Sequence, residues 1–240
     1  MNTSQSRGYT KVEFHCHTNR SHDCKIDLTK RLQQYSTRGF THLAITDHDR
    51  TLPAKYVETN RKQFPSIQLI PGIEVSTFIG HIILLNCTKR PPLNSLAFLV
   101  LWARLFSAKL YVPHPFRKST GILSEYPRRK IPTEYISWFL RHCEYIEAYN
   151  PRDSLQAGHK VDPRIVSRVL SMRWTIASDS HHEYDIREEG CPLEGFSAEN
   201  SAVRALLESL DIAHVEFHFS TTAWWRYTKS ALRYLRDTFI

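Results

Sequence analysis

Short apolar segments alternate along this chain with longer segments in which apolar residues recur every three or four positions. The short segments are rich in aliphatic and aromatic residues and cover positions 12–17, 41–46, 67–70, 81–85, 110–112, 145–149 and 174–177. Such segments are typical of strands, and seven of them separated mostly by helices favour a parallel sheet. The pattern therefore predicts an α/β fold whose sheet closes, or nearly closes, into a barrel.

Residues at the ends of the periodic segments indicate where helices begin and end. Asp27 can cap a helix in which Leu28, Leu32 and Tyr35 share one face, and Gly39 stands where this helix would end. Further helices are predicted at 54–64, 96–106 and 133–142, one more beginning at Asp162 and Pro163, and a turn at Pro71 and Gly72. Helices thus follow most of the predicted strands, as a β/α barrel requires.

No repeat, low-complexity tract or linker marks a domain boundary before residue 195. We expect residues 1–195 to form one barrel domain and residues 196–240 to add a helix, a strand and a helix. Leu232, Leu235 and Phe239 fall at helical spacing near the end of this extension, which favours packing against the barrel. Its mixture of aromatic and basic residues leaves open a contact with a protein partner or a membrane surface.

Composition narrows the class of protein further. A chain of 240 residues with 41% hydrophobic residues can bury one large core, and its longest apolar run, 93–106, is interrupted by Arg104, so no membrane span is expected. The polar N-terminus lacks the apolar core of a secretory signal, and the five cysteines are scattered without a CxxC pair. We therefore expect a cytoplasmic protein with reduced thiols. The formal charge of +8 indicates an anionic partner.

Histidines and carboxylates follow the ends of several predicted strands. His15 and His17 close the first strand, and because strand side chains alternate we expect them to share one face while Phe14 and Cys16 share the other. Other strand ends carry TDHD at 46–49, GIE at 72–74, HP at 114–115 and SDSHH at 178–182, and His81 opens the fourth strand. In a β/α barrel the chemistry lies at the C-terminal ends of the strands, so these residues are expected to share one site.

The residue types at these strand ends indicate a metal site. Imidazole and carboxylate ligands suit zinc, manganese or iron better than magnesium or calcium. The nine or so candidate ligands exceed what one tetrahedral ion can use, so more than one ion is expected, with a carboxylate bridging two. Clustered ions can present bound water as hydroxide and clamp the oxygens of an in-line displacement at phosphorus. The pattern therefore points to hydrolysis of phosphate esters.

Seven motifs of this chain resemble those of the polymerase and histidinol phosphatase family, known as the PHP domain. They are HCHTNRSHD at 15–23, ITDHD at 45–49, PGIEVS at 71–76, GHIILL at 80–85, PHPFR at 113–117, IEAYN at 146–150 and ASDSH at 177–181. They follow the family's order and together cover about residues 10–185. The resemblance implies a distorted seven-stranded, TIM-like β/α barrel with two or three divalent ions, commonly Mn²⁺, Zn²⁺ or Fe²⁺, and phosphoesterase activity.

The resemblance also implies which side chains bind each ion. One ion would be held by His15, His17, Glu74 and Asp179, and Glu74 would bridge to a second held by His81 and His114. A third would use Asp23, His48 and His181. Of these residues, Glu74, His48 and Asp179 are expected to take part in catalysis. Asp47, Asp49 and His182 are candidates for orienting a ligand or transferring a proton.

Basic and amide side chains near the same strand ends could hold a phosphate. Arg117 follows His114 by three residues and could pair bidentately with phosphoryl oxygens. Asn150 and Arg152 follow the sixth strand and could serve in the same way. The loop 116–132 is also basic, since it carries Arg117, Lys118, Arg128, Arg129 and Lys130. This charge favours a polyanionic or nucleotide-bearing substrate.

We therefore expect a metal-dependent phosphoesterase that hydrolyses phosphate esters of nucleotides or nucleic-acid ends through a metal-bound hydroxide. A small-metabolite phosphomonoesterase similar to histidinol phosphatase is an alternative. A second alternative is a non-catalytic docking subunit of a larger nucleic-acid-processing complex. In that case the aromatic, basic C-terminal segment would bind the partner proteins. The retained set of metal-compatible side chains argues against this second alternative.

Overall fold

Seven strands form a single sheet in chain order in the computed structural model, which describes residues 12–124, 131–150 and 171–185. The strands are β1 (Val12–Glu13), β2 (His42–Ile45), β3 (Gln68–Thr77), β4 (Gly80–Leu85), β5 (Lys109–Val112), β6 (Tyr145–Tyr149) and β7 (Arg173–Ile176). The helices within these ranges are α1 (Leu28–Ser36), α2 (Ala54–Gln63), α3 (Leu96–Leu105) and α4 (Thr133–Leu140). A 3₁₀ turn covers Glu183–Asp185. The predicted helix at Asp162 and the predicted extension over 196–240 lie outside the described residues.

The two ends of the sheet meet just beyond β1 and β7. Cys16 and Ser180 form a parallel bridge, in which the backbone N–H of His17 donates to the carbonyl of Ser180 at 3.2 Å. The N–H of Asp179 donates to the carbonyl of His15 at 3.0 Å. The sheet therefore curls into a distorted seven-stranded β/α barrel, and the predicted fold class is confirmed.

Strand β4 departs from the predicted parallel arrangement, since it runs antiparallel to both β3 and β5. Only Phe78 and Ile79 lie between the end of β3 and the start of β4, and a parallel pair would need a crossover of about a dozen residues. The reversal places the first residues of β4 at the same edge of the barrel as the C-terminal ends of the other strands. His81 therefore reaches this edge although it stands near the start of its strand.

The predicted turn at Pro71 and Gly72 is wrong, because β3 continues through both residues as far as Thr77. A Cβ at Gly72 would lie 3.1 Å from the carbonyl oxygen of Ile45 and 3.2 Å from that of Leu84. Glycine is thus required here for the close approach of the neighbouring strands and not for a turn.

The sheet has an outer face covered by helices and an inner face that fills the barrel. Helices α1 and α2 pack on β2 and on Leu69 of β3, and α3 and α4 pack on β3 to β6. The inner face carries a separate cluster of Val12, Phe14, Ala44, Ile70, Ile83, Leu85, Tyr111 and Tyr145. Apolar packing on both faces positions the strand ends rigidly.

Phe14 and Cys16 do not share a face, contrary to the prediction from alternation. The ring of Phe14 packs inside the barrel, with its centroid 6.3 Å from that of Tyr111 and 5.9 Å from that of Tyr145. Cys16 instead packs against α1 in the outer cluster. Strand β1 ends at Glu13, so the regular alternation of a strand does not extend over residues 14–17.

Helix α1 begins as predicted and fastens the closure of the barrel. The carboxylate of Asp27 accepts the N–H of Lys30 at 2.9 Å, which caps the helix. Arg31 is fully buried, and its guanidinium donates to the carbonyls of His17 and Ser180, both at 2.9 Å. One side chain of α1 therefore bonds to both chain segments that meet at the closure.

Within the described ranges, no helix is both long and apolar enough to cross a membrane.

Replacing Gly80 with alanine should destabilise the fold strongly. Gly80 has φ +136°, and a Cβ there would lie 2.6 Å from the carbonyl oxygen of Thr120 and 2.9 Å from the N of Ile122. Backbone strain and overpacking together should lower the free energy of unfolding by about 2–5 kcal/mol. Urea denaturation would measure the loss.

Gly39→Ala is the matched control for this variant. Gly39 also has a positive φ, +74°, but a Cβ there would meet nothing within 4 Å. Strain alone should then cost about 1–2 kcal/mol. Equal unfolding midpoints for the two alanine variants would contradict the close packing of Gly80 on the loop that follows β5.

Candidate metal centre

The C-terminal edge of the barrel brings all nine predicted metal ligands together. The loops after β1, β2, β5 and β7 supply most of them, and β3 and the start of β4 supply the rest. The nine side chains are His15, His17, Asp23, His48, Glu74, His81, His114, Asp179 and His181, and each lies within 3.4 Å of at least one other. Most are buried, and Asp23, with a side chain 36% exposed, marks the outer side of the cluster.

Four donor atoms at the centre have the spacing expected around a tetrahedral ion. His15 Nε2 and His17 Nε2 lie 3.1 Å apart. Each of these nitrogens lies 3.2 Å from Glu74 Oε2 and 3.2 Å from Asp179 Oδ1. Ligands placed about 2.0–2.1 Å from a tetrahedral ion are about 3.3 Å from one another. These four residues therefore fit a bound cation such as zinc in both chemistry and spacing.

Glu74 presents its second carboxylate oxygen to a different pair of histidines. Oε1 lies 2.8 Å from His81 Nδ1 and 3.0 Å from His114 Nε2. Burial lowers the pKa of His114, so its imidazole is neutral at pH 7, as a metal ligand must be. The carboxylate of Glu74 thus has the placement of a bridge between two ion sites.

A third group of donors lies toward the mouth of the barrel. Asp23 Oδ2 is 2.9 Å from His181 Nε2 and 3.4 Å from His48 Nε2. The other ring nitrogen of His48 is 3.3 Å from Glu74 Oε2, so His48 stands between the outer group and the bridging carboxylate. Among the residues that the structure describes, three groups could hold an ion: His15, His17, Glu74 and Asp179; His17, Asp23, His48 and His181; and His48, Glu74 and His81.

The buried carboxylates and imidazoles of this cluster share protons. Burial, the largest single influence, would raise the pKa of Glu74, but the charges of His15 and His81 and the hydrogen bonds from His114 and His15 together lower that pKa well below its usual value. Burial would likewise lower the pKa of His17, yet its hydrogen bonds to Asp179 and Glu74 raise that pKa to about 9. A cation that binds to His17 must therefore displace a proton from its imidazole.

Two of the clustered residues hold a left-handed backbone conformation that side chains rarely adopt. His114 has φ +26° and Asp179 has φ +49°. Such conformations cost about 1–3 kcal/mol each and persist where the surroundings impose them. Here the N–H of Asp179 donates to His15, and the N–H of His114 donates to a carboxylate oxygen of Glu147.

Glu147 is a component of the site that the sequence analysis did not single out. It lies on the inner face of β6, where Oε1 is 3.1 Å from His15 Nδ1 and accepts the hydroxyl of Tyr111 at 3.2 Å. Burial would raise the pKa of Glu147, but the charge of His15 lowers it. A carboxylate on the far nitrogen of a ligating histidine fixes the orientation of its ring. The available signal was a lone glutamate on the inward side of an otherwise apolar strand.

The residues predicted to bind phosphate have different surroundings. Arg117 Nη2 donates to Asp179 Oδ2 at 2.7 Å, so its guanidinium lies beside the four-donor group. Asn150 is buried, and its amide donates to Glu147 Oε2 at 3.0 Å. It therefore contacts the carboxylate that bonds to His15 and to the N–H of His114. Arg152 lies outside the described residues, as do Arg128, Arg129 and Lys130.

Asp47 and Asp49 hold the loops of the site by hydrogen bonds to backbone and hydroxyl groups. Asp47 is buried and accepts the N–H and the hydroxyl of Thr18 and the hydroxyl of Ser21. Asp49 accepts the N–H of Ser76 at 3.2 Å. These bonds fix the loop after β1 and join the loop after β2 to β3.

Comparison with protein families identifies this arrangement. A model of the PHP domain matches residues 13–160, more than half of the chain. The chain belongs to the PHP domain family. The match covers β1 to β6 and seven of the nine clustered ligands, since Asp179 and His181 lie beyond it. No curated protein matches the sequence.

Solved structures with a similar fold support the assignment to the PHP domain. One is a two-domain protein from Bacteroides vulgatus assigned as containing a PHP-like metal-dependent phosphoesterase, with 21% identity and a TM-score of 0.55 over 73% of this chain and 53% of that one. Another, from Bifidobacterium adolescentis and assigned as a metal-dependent phosphoesterase, has 12% identity and a TM-score of 0.57 over 85% and 98%. This chain therefore spans about half the length of the first and nearly all of the second.

A third similar structure is Endonuclease Q in complex with a 27-mer duplex substrate that has an abasic lesion at the active site. Its identity to this chain is 12% and its TM-score is 0.50, over 72% of this chain and 49% of that one. Identities this low show a common fold. The PHP domain of this chain thus has the architecture of metal-dependent phosphoesterases.

Glu147→Gln should weaken metal binding without unfolding the domain. The amide keeps the size of the carboxylate but removes the charge that faces His15 Nδ1. Loss of such a partner typically reduces metal affinity about 10- to 100-fold. Isothermal titration of metal-stripped protein with Zn²⁺ or Mn²⁺ would measure the change.

Glu144→Gln is the matched control on the same strand connection. Glu144 precedes β6 at the opposite edge of the barrel, where it accepts the N–H of Leu110 and pairs with Lys109. Its variant should bind metal as the wild type does. Equal losses of affinity in both variants would attribute the effect to the fold and exclude the proposed support of His15.

Proposed function

We propose that this PHP domain hydrolyses phosphate esters of nucleotides or of nucleic-acid ends. The observation that carries the proposal is the placement of Glu74, whose two carboxylate oxygens face separate groups of histidines. A carboxylate shared in this way suits two adjacent cations, and paired cations are typical of enzymes that cleave phosphate esters. The similarity to metal-dependent phosphoesterases in fold supports the same reaction class.

Separate groups of side chains would hold the different cations. His15, His17, Glu74 and Asp179 would hold one cation, His81 and His114 would complete a second site with Glu74, and Asp23, His48 and His181 would form a third. We expect two or three divalent ions, Mn²⁺, Zn²⁺ or Fe²⁺, because the donors mix imidazole with carboxylate. When bound, such ions activate water and neutralise charge that develops at phosphorus. His48, between Asp23 and Glu74, would couple the outer site to the bridge.

Arg117 is placed to bind the phosphoryl group. Its guanidinium already lies 2.7 Å from Asp179 Oδ2 and is only partly exposed, so a phosphate that enters the four-donor group would meet it directly. Guanidinium groups bind phosphate through two parallel hydrogen bonds. In the absence of substrate the same group holds the Asp179 carboxylate in place.

The charge around the mouth favours a nucleotide or nucleic acid over a small metabolite. Arg50 lies in the loop after β2, Lys55 in the first turn of α2, and Lys118 in the loop after β5, so exposed basic residues follow two of the strands whose ends carry the candidate ligands. The likeness in fold to Endonuclease Q, which was solved with a 27-mer duplex substrate, supports tests on nucleic acid. Phosphate contacts of this kind would make binding fall as salt is added.

Glu74→Gln should abolish hydrolysis while the domain stays folded. The substitution removes the charge that both histidine groups face, so bound metal should fall together with turnover by several orders of magnitude. Activity of wild type and variant would be measured with Mn²⁺ on 5′- and 3′-phosphorylated oligonucleotides, nucleoside monophosphates and glycerol phosphate. Metal content would be measured on the same samples.

Glu58→Gln, on the exposed face of α2, is the control for this substitution. Wild-type turnover and full metal content in Glu74→Gln would refute the proposed chemistry. Turnover of glycerol phosphate alone, with little salt dependence, would instead favour a phosphatase of small metabolites. A protein that binds no metal and hydrolyses none of these esters would favour a docking subunit.

Arg117→Ala should raise KM more than it lowers kcat. Loss of charged hydrogen bonds to phosphate should weaken substrate binding by about 1.5–3 kcal/mol, or about 10- to 150-fold in KM. Steady-state kinetics on a nucleoside monophosphate would show the split, and Arg117→Lys should recover part of the loss. Reduced metal content in Arg117→Ala would show instead that the arginine acts by holding Asp179.

A further inference from the structure

Three planar side chains lie on the two segments that carry Asp23 and His48: Arg20 contacts the ring of Tyr56, and His22 contacts the ring of His48. Arg20 and His22 belong to the loop after β1, and Tyr56 lies in the first turn of α2, directly after the loop that follows β2. The ring of His22 has its centroid 5.3 Å from that of His48. The group of Arg20, His22 and Tyr56, here called the rim, therefore borders the outer donor group.

Contacts between the two loops hold the rim in place. Arg20 Nη2 donates to the carbonyl of Thr51 at 3.1 Å, and its guanidinium carbon lies 5.8 Å from the centroid of the Tyr56 ring. The N–H of Arg20 also donates to the hydroxyl of Thr18, which itself bonds to the buried carboxylate of Asp47. These contacts join the loop after β1 to the segment after β2 and hold the guanidinium against the Tyr56 ring.

Core packing does not account for Tyr56. Its side chain is 51% exposed, and it belongs to none of the apolar clusters formed by the described residues. Helix α2 is polar, and Asn60 is its only buried residue. A large ring on such a helix contributes little to stability where it stands, yet it faces solvent at the edge of the candidate site.

We propose that the rim binds a nucleobase of the substrate, at or next to the scissile phosphate. This inference rests on the proposed function, since it names what the rest of the phosphate ester must carry. Aromatic rings and guanidinium planes stack on any base through its π face, which gives binding without strict sequence preference. Arg50 and Lys55 are both exposed and lie within a few residues of Tyr56 in the sequence, where they could meet neighbouring phosphates. The base can belong to a free nucleotide or to a strand, and both present the same stacking surface.

The test compares substrates with and without a base. Tyr56→Ala should raise KM for a nucleotide substrate, relative to KM for glycerol phosphate, by about 5- to 150-fold, the range expected for loss of one stacked base. Tyr56→Phe keeps the ring and should restore the wild-type ratio. Leu105→Ala is the matched control, because Leu105 is 65% exposed at the opposite edge of the barrel and should leave the ratio unchanged.

Comparison of a nucleoside monophosphate with an oligonucleotide also shows which nucleotide carries the stacked base. A change for both a nucleoside monophosphate and an oligonucleotide places the stacked base on the nucleotide being cleaved. A change for the oligonucleotide alone places it on the adjacent nucleotide of a strand. An unchanged ratio for both substrates in Tyr56→Ala would overturn the proposal.

A binding measurement tests the role of the rim independently of hydrolysis. Fluorescence anisotropy of a labelled single-stranded oligonucleotide should show the same weakening in Tyr56→Ala as the kinetics. If the wild type hydrolyses none of the esters, the proposed function fails, but binding that is lost in Tyr56→Ala and kept in Tyr56→Phe would still support the rim. Binding that is equal in all variants would refute it.

Discussion

The buried charge of Glu74 is the constraint around which the rest of this structure is arranged. An unpaired carboxylate in the interior would cost many kcal/mol, so it must be surrounded by cations or by donors. Histidines from the segments after β1 and β5 and from β4 meet this requirement, and His15 in turn requires the carboxylate of Glu147 beneath it. Each layer of polar groups is thus stabilised by the next, and the lowest rests on the aromatic cluster of the inner face.

The reversal of β4 serves this arrangement directly. A parallel strand would have placed His81 at the opposite edge of the barrel, far from Glu74, whereas the short hairpin returns it to within 2.8 Å. The hairpin is held by Gly80, whose position against the loop after β5 leaves no room for a side chain. A local feature of the backbone thereby decides which residues can reach the metal centre.

Local patterns in the sequence were sufficient to predict the seven strand segments, most helix boundaries and a cluster of histidines and carboxylates at the strand ends, because strand ends and caps depend on nearby residues. Which of these side chains bind each ion came from the resemblance to the PHP domain and stays a prediction. Individual contacts between distant segments that no strand-end motif marks were not predicted. Glu147 gains its role only from His15, which is 132 positions away in the sequence. The separation of Phe14 from Cys16 depends on where β1 ends, which alternation alone does not determine. The direction of β4 was implied by the two residues between Thr77 and Gly80, but the strand boundaries had first to be placed correctly.

The barrel closure to which Arg31 bonds affects the order in which the donor side chains come together. Cys16 and Ser180, which form the closing bridge, are 164 positions apart, so the chain must close a very long loop before Asp179 can join His15 and His17. During synthesis His15 and His17, which lie just after the first strand, emerge long before Asp179, which completes the group of donors around them. Until the seventh strand is made, the nascent chain holds only part of this donor set, and the group of His15, His17, Glu74 and Asp179 is complete only when the barrel closes.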